Sequence, residues 1–205
     1  MIKIFALVAA AYLLGSVPFG FIVARLRGVD LRQVGSGNIG ATNVYRALGL
    51  RVALFVFVLD VAKGFIGTRL FPVLWQADLP HDYARVLCGI AAIAGAVATV
   101  FMRFRGGKGV ATAVGVFLGL QPLATAICIG VWAGLFAVYR YVSLGSICGA
   151  VTLPVLVALM NRSGFTRDPV FYMALLVAAI VVIRHKSNIQ RLVGGTENRI
   201  GRTGG

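Results

Sequence analysis

Charge is scarce in this chain, and negative charge is scarcest. Only 13% of the 205 residues are charged, where a soluble domain carries about 25%. Six Asp and Glu stand against 20 Lys and Arg, for a net charge of +14. In a soluble protein that balance would point to nucleic acid. Here the cations sit between apolar runs, so no nucleic acid is expected. Membrane-flanking loops and anionic lipid or substrate account for them better. Histidine is nearly absent: His81 and His185 lie far apart and form no ligand cluster. The three cysteines, Cys88, Cys128 and Cys148, each lie in an apolar segment, and no C-x-x-C occurs. They read as packing residues, without disulfide or metal. The first apolar run lacks a basic region beyond Lys3, so it reads as a retained span and not as a cleaved signal.

Apolar residues make up 59% of the chain and the mean hydropathy is +0.90. That excludes an ordinary soluble core and predicts an all-α integral membrane protein with one membrane domain over 1–205. Candidate spans run over 4–24, 52–70, 85–102, 110–120, 123–139, 144–160 and 169–183. Gln121-Pro122 decides the topology. Read as a kink it gives six spans; read as a turn it gives seven. The turn places the basic junctions around 25–51, 103–108, 140 and 184–202 on one side, as the positive-inside rule favours. The N-terminus is then outside and the C-terminus cytoplasmic. Arg162 and Arg167 are the chief cations opposite, where the 71–84 loop holds Asp78 and Asp82. Small-xxx-small pairs at Gly115/Gly119, Gly130/Gly134 and Gly145/Gly149 predict close helix packing. Asp60 and Lys63 share a helix face at i,i+3 and read as an intrahelical pair.

Three polar stretches stand out. The first, Gly35-Ser36-Gly37-Asn38-Ile39-Gly40-Ala41-Thr42-Asn43, has three glycines in six residues, with Arg46 close behind. Glycines let backbone N–H groups converge, and the side chains of Ser36, Asn38, Thr42 and Asn43 add donors, so it reads as an anion cradle. It matches G-x-G-x-x-G, but a membrane span precedes it where a strand is required, so the dinucleotide reading fails. The second, Gly106-Gly107-Lys108-Gly109, is no P-loop, since Met102 and Gly109 stand where that motif needs Gly and Ser or Thr. Each glycine stretch is expected to lead toward the N-terminus of a membrane helix, whose partial positive charge favours an anion. The third is His185-Lys186-Ser187-Asn188-Ile189-Gln190-Arg191-Leu192, followed by Gly195-Thr196-Glu197. Lys186 and Arg202 suit a charge anchor. His185, Asn188 and Glu197 bring base and hydrogen-bonding chemistry.

Taken in order, these stretches resemble the bacterial acyl-phosphate:glycerol-3-phosphate acyltransferases, a small integral-membrane family. The matching text also includes Leu14-Gly15-Ser16-Val17-Pro18-Phe19-Gly20, Leu59-Asp60-Val61-Ala62-Lys63-Gly64 and Phe104-Arg105-Gly106-Gly107-Lys108-Gly109-Val110-Ala111-Thr112. The resemblance implies seven transmembrane helices in the bacterial cytoplasmic membrane, with the signature loops at the cytoplasmic face. It implies acyl transfer from acyl phosphate to the 1-hydroxyl of glycerol 3-phosphate, giving lysophosphatidic acid and phosphate. No cofactor, metal or obligate protein partner is implied, only the two substrates and membrane lipid. One departure is plain: Ala96 stands where the family usually has histidine, so any role of that histidine is absent here.

On this reading Ser36, Lys108, His185, Asn188 and Glu197 form the catalytic set. Gly35, Gly37, Asn38, Gly40, Thr42, Asn43, Arg46, Gly106, Gly107, Gly109, Thr112 and Ser143 bind substrate. The stretch with Ser36 and Asn38 is assigned the acyl phosphate; Arg46, Lys108, Ser143 and part of the tail are assigned glycerol 3-phosphate. Three routes for the hydroxyl proton stay open: His185 as base, a substrate phosphate oxygen oriented by His185 and Asn188, or a covalent acyl-Ser36 intermediate. The rival from another class is a small-anion transporter, whose polar residues would lie near the bilayer midplane.

Overall fold

A computed structural model describes residues 2–74, 79–161 and 168–201, with the side chain at position 81 excepted. The readings on Asp78, Arg162, Arg167 and Arg202 lie outside the described residues. Among the described residues there are helices and turns and no strand. The chain divides into two compact units, Met1–Leu120 and Gln121–Gly205.

The first unit contains α1 (Ile2–Ser16), α2 (Phe19–Leu26), α3 (Ala41–Leu48) and α4 (Leu50–Phe65). Helix α4 runs through a π-helical turn, Ile66–Leu70, into α5 (Phe71–Leu74). Then come α6 (His81–Val97), a 3₁₀ turn (Val100–Met102) and α7 (Val110–Leu120). Pro18 has no N–H and disfavours helix at the residue before it, which is why α1 stops at Ser16 and α2 starts afresh. Helix α1 packs on α6, and α4 packs on α7. Both contacts are made backbone to backbone. A methyl at Gly15 would overlap Ala92, and one at Gly115 would overlap the Val61 carbonyl.

The second unit contains α8 (Pro122–Tyr139), α9 (Val142–Met160), α10 (Pro169–Arg184) and α11 (Lys186–Val193). Helix α9 packs on both α8 and α10. Asp168 caps α10 by accepting the Val170 N–H at 2.8 Å, with Pro169 at the first helical position. Gln121 leaves the helical region (φ −139°, ψ 71°), so 110–120 and 122–139 are separate helices.

Among the described residues, four helical stretches are long and apolar enough to cross a membrane. They are Ile2–Leu26, Asp82–Met102, Pro122–Tyr139 and Val142–Met160. A fifth is added if α10 and α11, bent by 59°, count as one. Helix α4 has 16 residues and α7 only 11. Exposed Phe55, Val138 and Leu159 line helix flanks, the surface expected where the surroundings are lipid.

The small-residue pairs divide. Gly115 and Gly119 lie against Val61, Phe65 and Thr68; Gly145 and Gly149 lie against Trp132 and Cys128. Gly130 and Gly134 face open space, with nothing within 4 Å of an added methyl. The spacing rule finds small faces, but it cannot say whether a partner helix covers them.

Candidate active site

The glycine-rich stretch is a compact loop pinned from inside by one buried side chain. Asn43, 1% exposed, accepts the Ser36 N–H at 3.0 Å. Its amide nitrogen donates to the carbonyls of Leu31 (3.0 Å) and Val34 (2.9 Å). Gly35 sits at φ +60°, a conformation that favours glycine, and a methyl there would strike Asn43 Oδ1. Asn38 Oδ1 accepts the Gly40 N–H at 2.9 Å, and Gly37 N–H donates to Val34 O at 3.1 Å. The N–H groups of Ser36, Gly37 and Gly40 are therefore committed to the loop's own turns. Asn43 is buried, and its amide makes three hydrogen bonds within the loop.

The loop leads into α3, not directly into a membrane helix. Mixed polar residues in Ala41–Leu48 form this short separate helix, and Gly49 (φ +81°) turns the chain into α4. Thr42 lies in the first turn of α3 and Arg46 in its last, both half-buried, while Ser36 is exposed. Before the loop, Asp30 takes Arg32 at 2.6 Å and Arg25 at 3.9 Å. The hydrogen bonds from Arg32 hold the Asp30 carboxyl down at about 2. Part of the basic charge in this region is thus matched within it.

The second glycine stretch closes the end of α6. Gly106 N–H donates to Val97 O at 3.1 Å and Gly107 N–H to Ala96 O at 3.0 Å. These bonds satisfy carbonyls that the helix terminus leaves without intrahelical partners. A methyl at Gly106 would overlap both carbonyls, so close approach explains the glycine. The approach is set up by Arg103 (φ 53°) and Phe104 (φ 61°), two consecutive non-glycine residues in the left-handed region. Lys108 follows, half-buried, then Gly109 (φ +77°) and α7, with Thr112 buried in its first turn.

The two glycine stretches meet. A methyl placed on Gly107 would lie 3.7 Å from Asn38 Oδ1 and 3.9 Å from Ile39 Cγ1. One end of the first unit therefore gathers Ser36, Asn38, Lys108 and the N-terminus of α3.

In the second unit the 140–143 junction and the tail come together in the same way. Helix α10 bends at His185, which is 3% exposed, and its Nδ1 lies 2.7 Å from Val181 O. With Nδ1–H donating to that carbonyl, the neutral ring carries its lone pair on Nε2. Glu197, 7% exposed, is the hub of the cluster. It accepts from Ser143 Oγ (2.8 Å), Asn188 Nδ2 (2.6 Å) and Arg191 Nε (2.7 Å). Burial raises its affinity for a proton. The hydrogen bonds from Asn188, Ser143 and Arg191 outweigh that and leave its carboxyl below the usual 4.5. The tail then returns to the α8–α9 junction: Arg199 Nε donates to Tyr141 Oη at 2.9 Å, and Ile200 N–H to Arg140 O at 3.1 Å. Among the described residues, no group of three or more His, Cys, Asp or Glu could hold a metal ion.

This order of motifs and this fold have known counterparts. A family profile described as glycerol-3-phosphate acyltransferase matches residues 5–195. The chain belongs to the glycerol-3-phosphate acyltransferase family. It is 47% identical over 194 residues to the enzyme of that name from Geotalea daltonii, covering 94% of this chain and 95% of that protein. It is 46% identical to the one from Geobacter sulfurreducens, covering 97% and 98%. It is also similar to the crystal structure of PlsY, an integral membrane glycerol 3-phosphate acyltransferase, in its glycerol 3-phosphate form. The TM-score there is 0.88 at 41% identity, covering 97% of this chain and 96% of that one. A lysophosphatidic acid form of PlsY is similar at a TM-score of 0.84 and 40% identity.

Within this acyltransferase, the Ala96 position acts through its backbone, since its carbonyl takes the Gly107 N–H. Two pairings were not read from sequence. Arg191, quoted within the third stretch, pairs with Glu197, and its signal was the lone acid in a basic tail. Tyr141 receives Arg199, and no sequence pattern announces that pair.

Proposed function

We propose that the protein transfers a fatty acyl group from acyl phosphate to the 1-hydroxyl of glycerol 3-phosphate, at the cytoplasmic face of the bacterial inner membrane. The products are lysophosphatidic acid and inorganic phosphate. The observation that carries the reading is the family match over residues 5–195. The seven-span topology, with the N-terminus outside and the C-terminus cytoplasmic, is supported by the separation of α7 from α8 at Gln121 and by the clustering of cations. An α7 of 11 residues would require local thinning or tilted neighbours.

In the reaction, the hydroxyl oxygen of glycerol 3-phosphate attacks the acyl carbonyl. The carbon–oxygen bond to phosphate breaks, and the hydroxyl proton passes to a phosphate oxygen. Phosphate leaves readily once cations offset its charge, so positioning and electrostatics supply most of the catalysis. Ser36, Asn38, Thr42, Arg46 and Lys108 are assigned to phosphate recognition. His185 and Asn188 are assigned to the reaction as well, with Glu197 and Ser143 holding Asn188 in place. With Nδ1 held on Val181 O, the neutral His185 ring offers Nε2 as an acceptor, and it can donate to a phosphate oxygen only once Nε2 is protonated. The proton route through phosphate is favoured because so few protein bases are available.

The test is purified protein in detergent or proteoliposomes, supplied with both substrates. Lysophosphatidic acid should form, and Lys108→Ala should abolish most of it. No product, or turnover indifferent to Lys108, would overturn the reading.

A further inference from the structure

Where α1 breaks before Pro18, the carbonyls of Ser16 and Val17 lose their helical partners. Each is met by a side chain from elsewhere in the unit. Thr99 Oγ1 donates to Ser16 O at 2.5 Å, and Lys63 Nζ donates to Val17 O at 3.0 Å. Tyr12 returns a bond from α1 to Ala98 O at 2.7 Å, so the break in α1 and the end of α6 brace each other.

Lys63 is the costliest member of this brace. Its ammonium is 5% exposed, 2.7 Å from Asp60 Oδ1 and 5.6 Å from the centre of the Phe19 ring. A buried pair within one helix needs only its two members. This one also reaches a break in another helix. Gly20, just past the break, lies so close to the Ile39 carbonyl that a methyl there would overlap it and would come within 3.3 Å of Val44 Cγ2. On the other side, Gly64 lies against Thr112 O with the same closeness. Lys63-Gly64 therefore touches the element that carries each glycine stretch: α2 beneath Ile39, and α7 just after Gly109.

We infer that Lys63 is a positioning residue for the phosphate-binding loops. It fixes the Val17-Pro18 break, and α2 passes that position through Gly20 to Ile39 and the Gly35–Asn43 loop. No substrate contact is assigned to it.

The experiment replaces the pair together, Asp60→Leu with Lys63→Met, which avoids stranding a buried charge. The melting temperature should stay within about 5 °C of the parent. Amide exchange over residues 35–43 should accelerate about tenfold or more, since that loop loses its reference point. Turnover should fall about 10- to 100-fold through misplacement of the loop. Exchange at the parent rate over 35–43 overturns the inference, whatever the turnover. If the double variant does not fold, Gly20→Ala decides. It leaves the ion pair intact and displaces the contacts of α2 with Ile39 and Val44, so it should show the same accelerated exchange. Parent-like exchange in Gly20→Ala overturns the inference. The turnover arm rests on the proposed acyl transfer; the exchange arm does not. A parent protein without turnover would overturn that proposal and leave the exchange comparison standing.

Discussion

Asn43 Oδ1 accepts the Ser36 N–H at 3.0 Å from inside the loop that both residues belong to. Ser36 itself is exposed, on a backbone tied at its N–H to Asn43. The relationship separates two roles that one polar stretch combines, with Ser36 available to a ligand and Asn43 holding Ser36 in place.

Asn43→Ala removes hydrogen bonds to Ser36, Leu31 and Val34 at a position 1% exposed. At roughly 1 kcal/mol each, the expected loss is about 2–4 kcal/mol. Thermal unfolding in detergent should register it. Ser36→Ala should leave the melting temperature within about 2 °C, because an exposed hydroxyl contributes little. Equal destabilisation by the two changes would contradict the division of roles.

Glu197→Ala should destabilise more than Glu197→Gln. Alanine leaves Arg191, Asn188 and Ser143 without their shared acceptor. Glutamine keeps an oxygen and the shape. For alanine the expected cost is about 2–4 kcal/mol, from three donors losing one acceptor while the Arg191 side chain stays partly exposed. Tryptic cleavage after Arg191, followed at a fixed protease ratio, measures how far the tail has come loose.

The same carboxylate sets a pH dependence. Its proton affinity is lowered on folding, so its stabilisation is fully present above the unfolded value, near 4.5, and is lost as pH falls through the lower folded one. The segment 186–200 should open on acidification below that range. In Glu197→Gln this acid-induced opening should be absent. Exchange rates of the tail amides between pH 3 and 6, corrected for intrinsic rates, would show it.

Glycines at equivalent spacing should respond in opposite directions. Gly115→Ala drives a methyl into the Val61 carbonyl and should cost about 1–3 kcal/mol. Gly130→Ala meets nothing within 4 Å and should be neutral or stabilising by up to about 1 kcal/mol, from helix propensity. Thermal melts of both variants side by side test the packing of α4 on α7. A neutral Gly115→Ala would contradict that packing.

Much of this was legible from residue order. The apolar runs and the polar stretches around Ser36, Lys108 and His185 follow from local sequence pattern. What was hidden is the destination of backbone groups. The glycines at 106 and 107 look like an anion nest in sequence, but their N–H groups close the end of α6, and only tertiary contact reveals that. Helix α3 was missed because Ala41–Leu48 has neither the length nor the hydropathy of a span. The Asp60–Lys63 pair was readable from its spacing; its reach to Val17 O, 46 residues away, was not.

The most direct measurement of the central claim is the stoichiometry of one reaction. Purified protein is given a long-chain acyl phosphate with glycerol 3-phosphate, and phosphate and lysophosphatidic acid are counted together. The account predicts equal amounts of both, formed only when glycerol 3-phosphate is present, and no product when acyl-CoA replaces the acyl phosphate. Phosphate released without matching lysophosphatidic acid, or equal turnover from acyl-CoA, would contradict it.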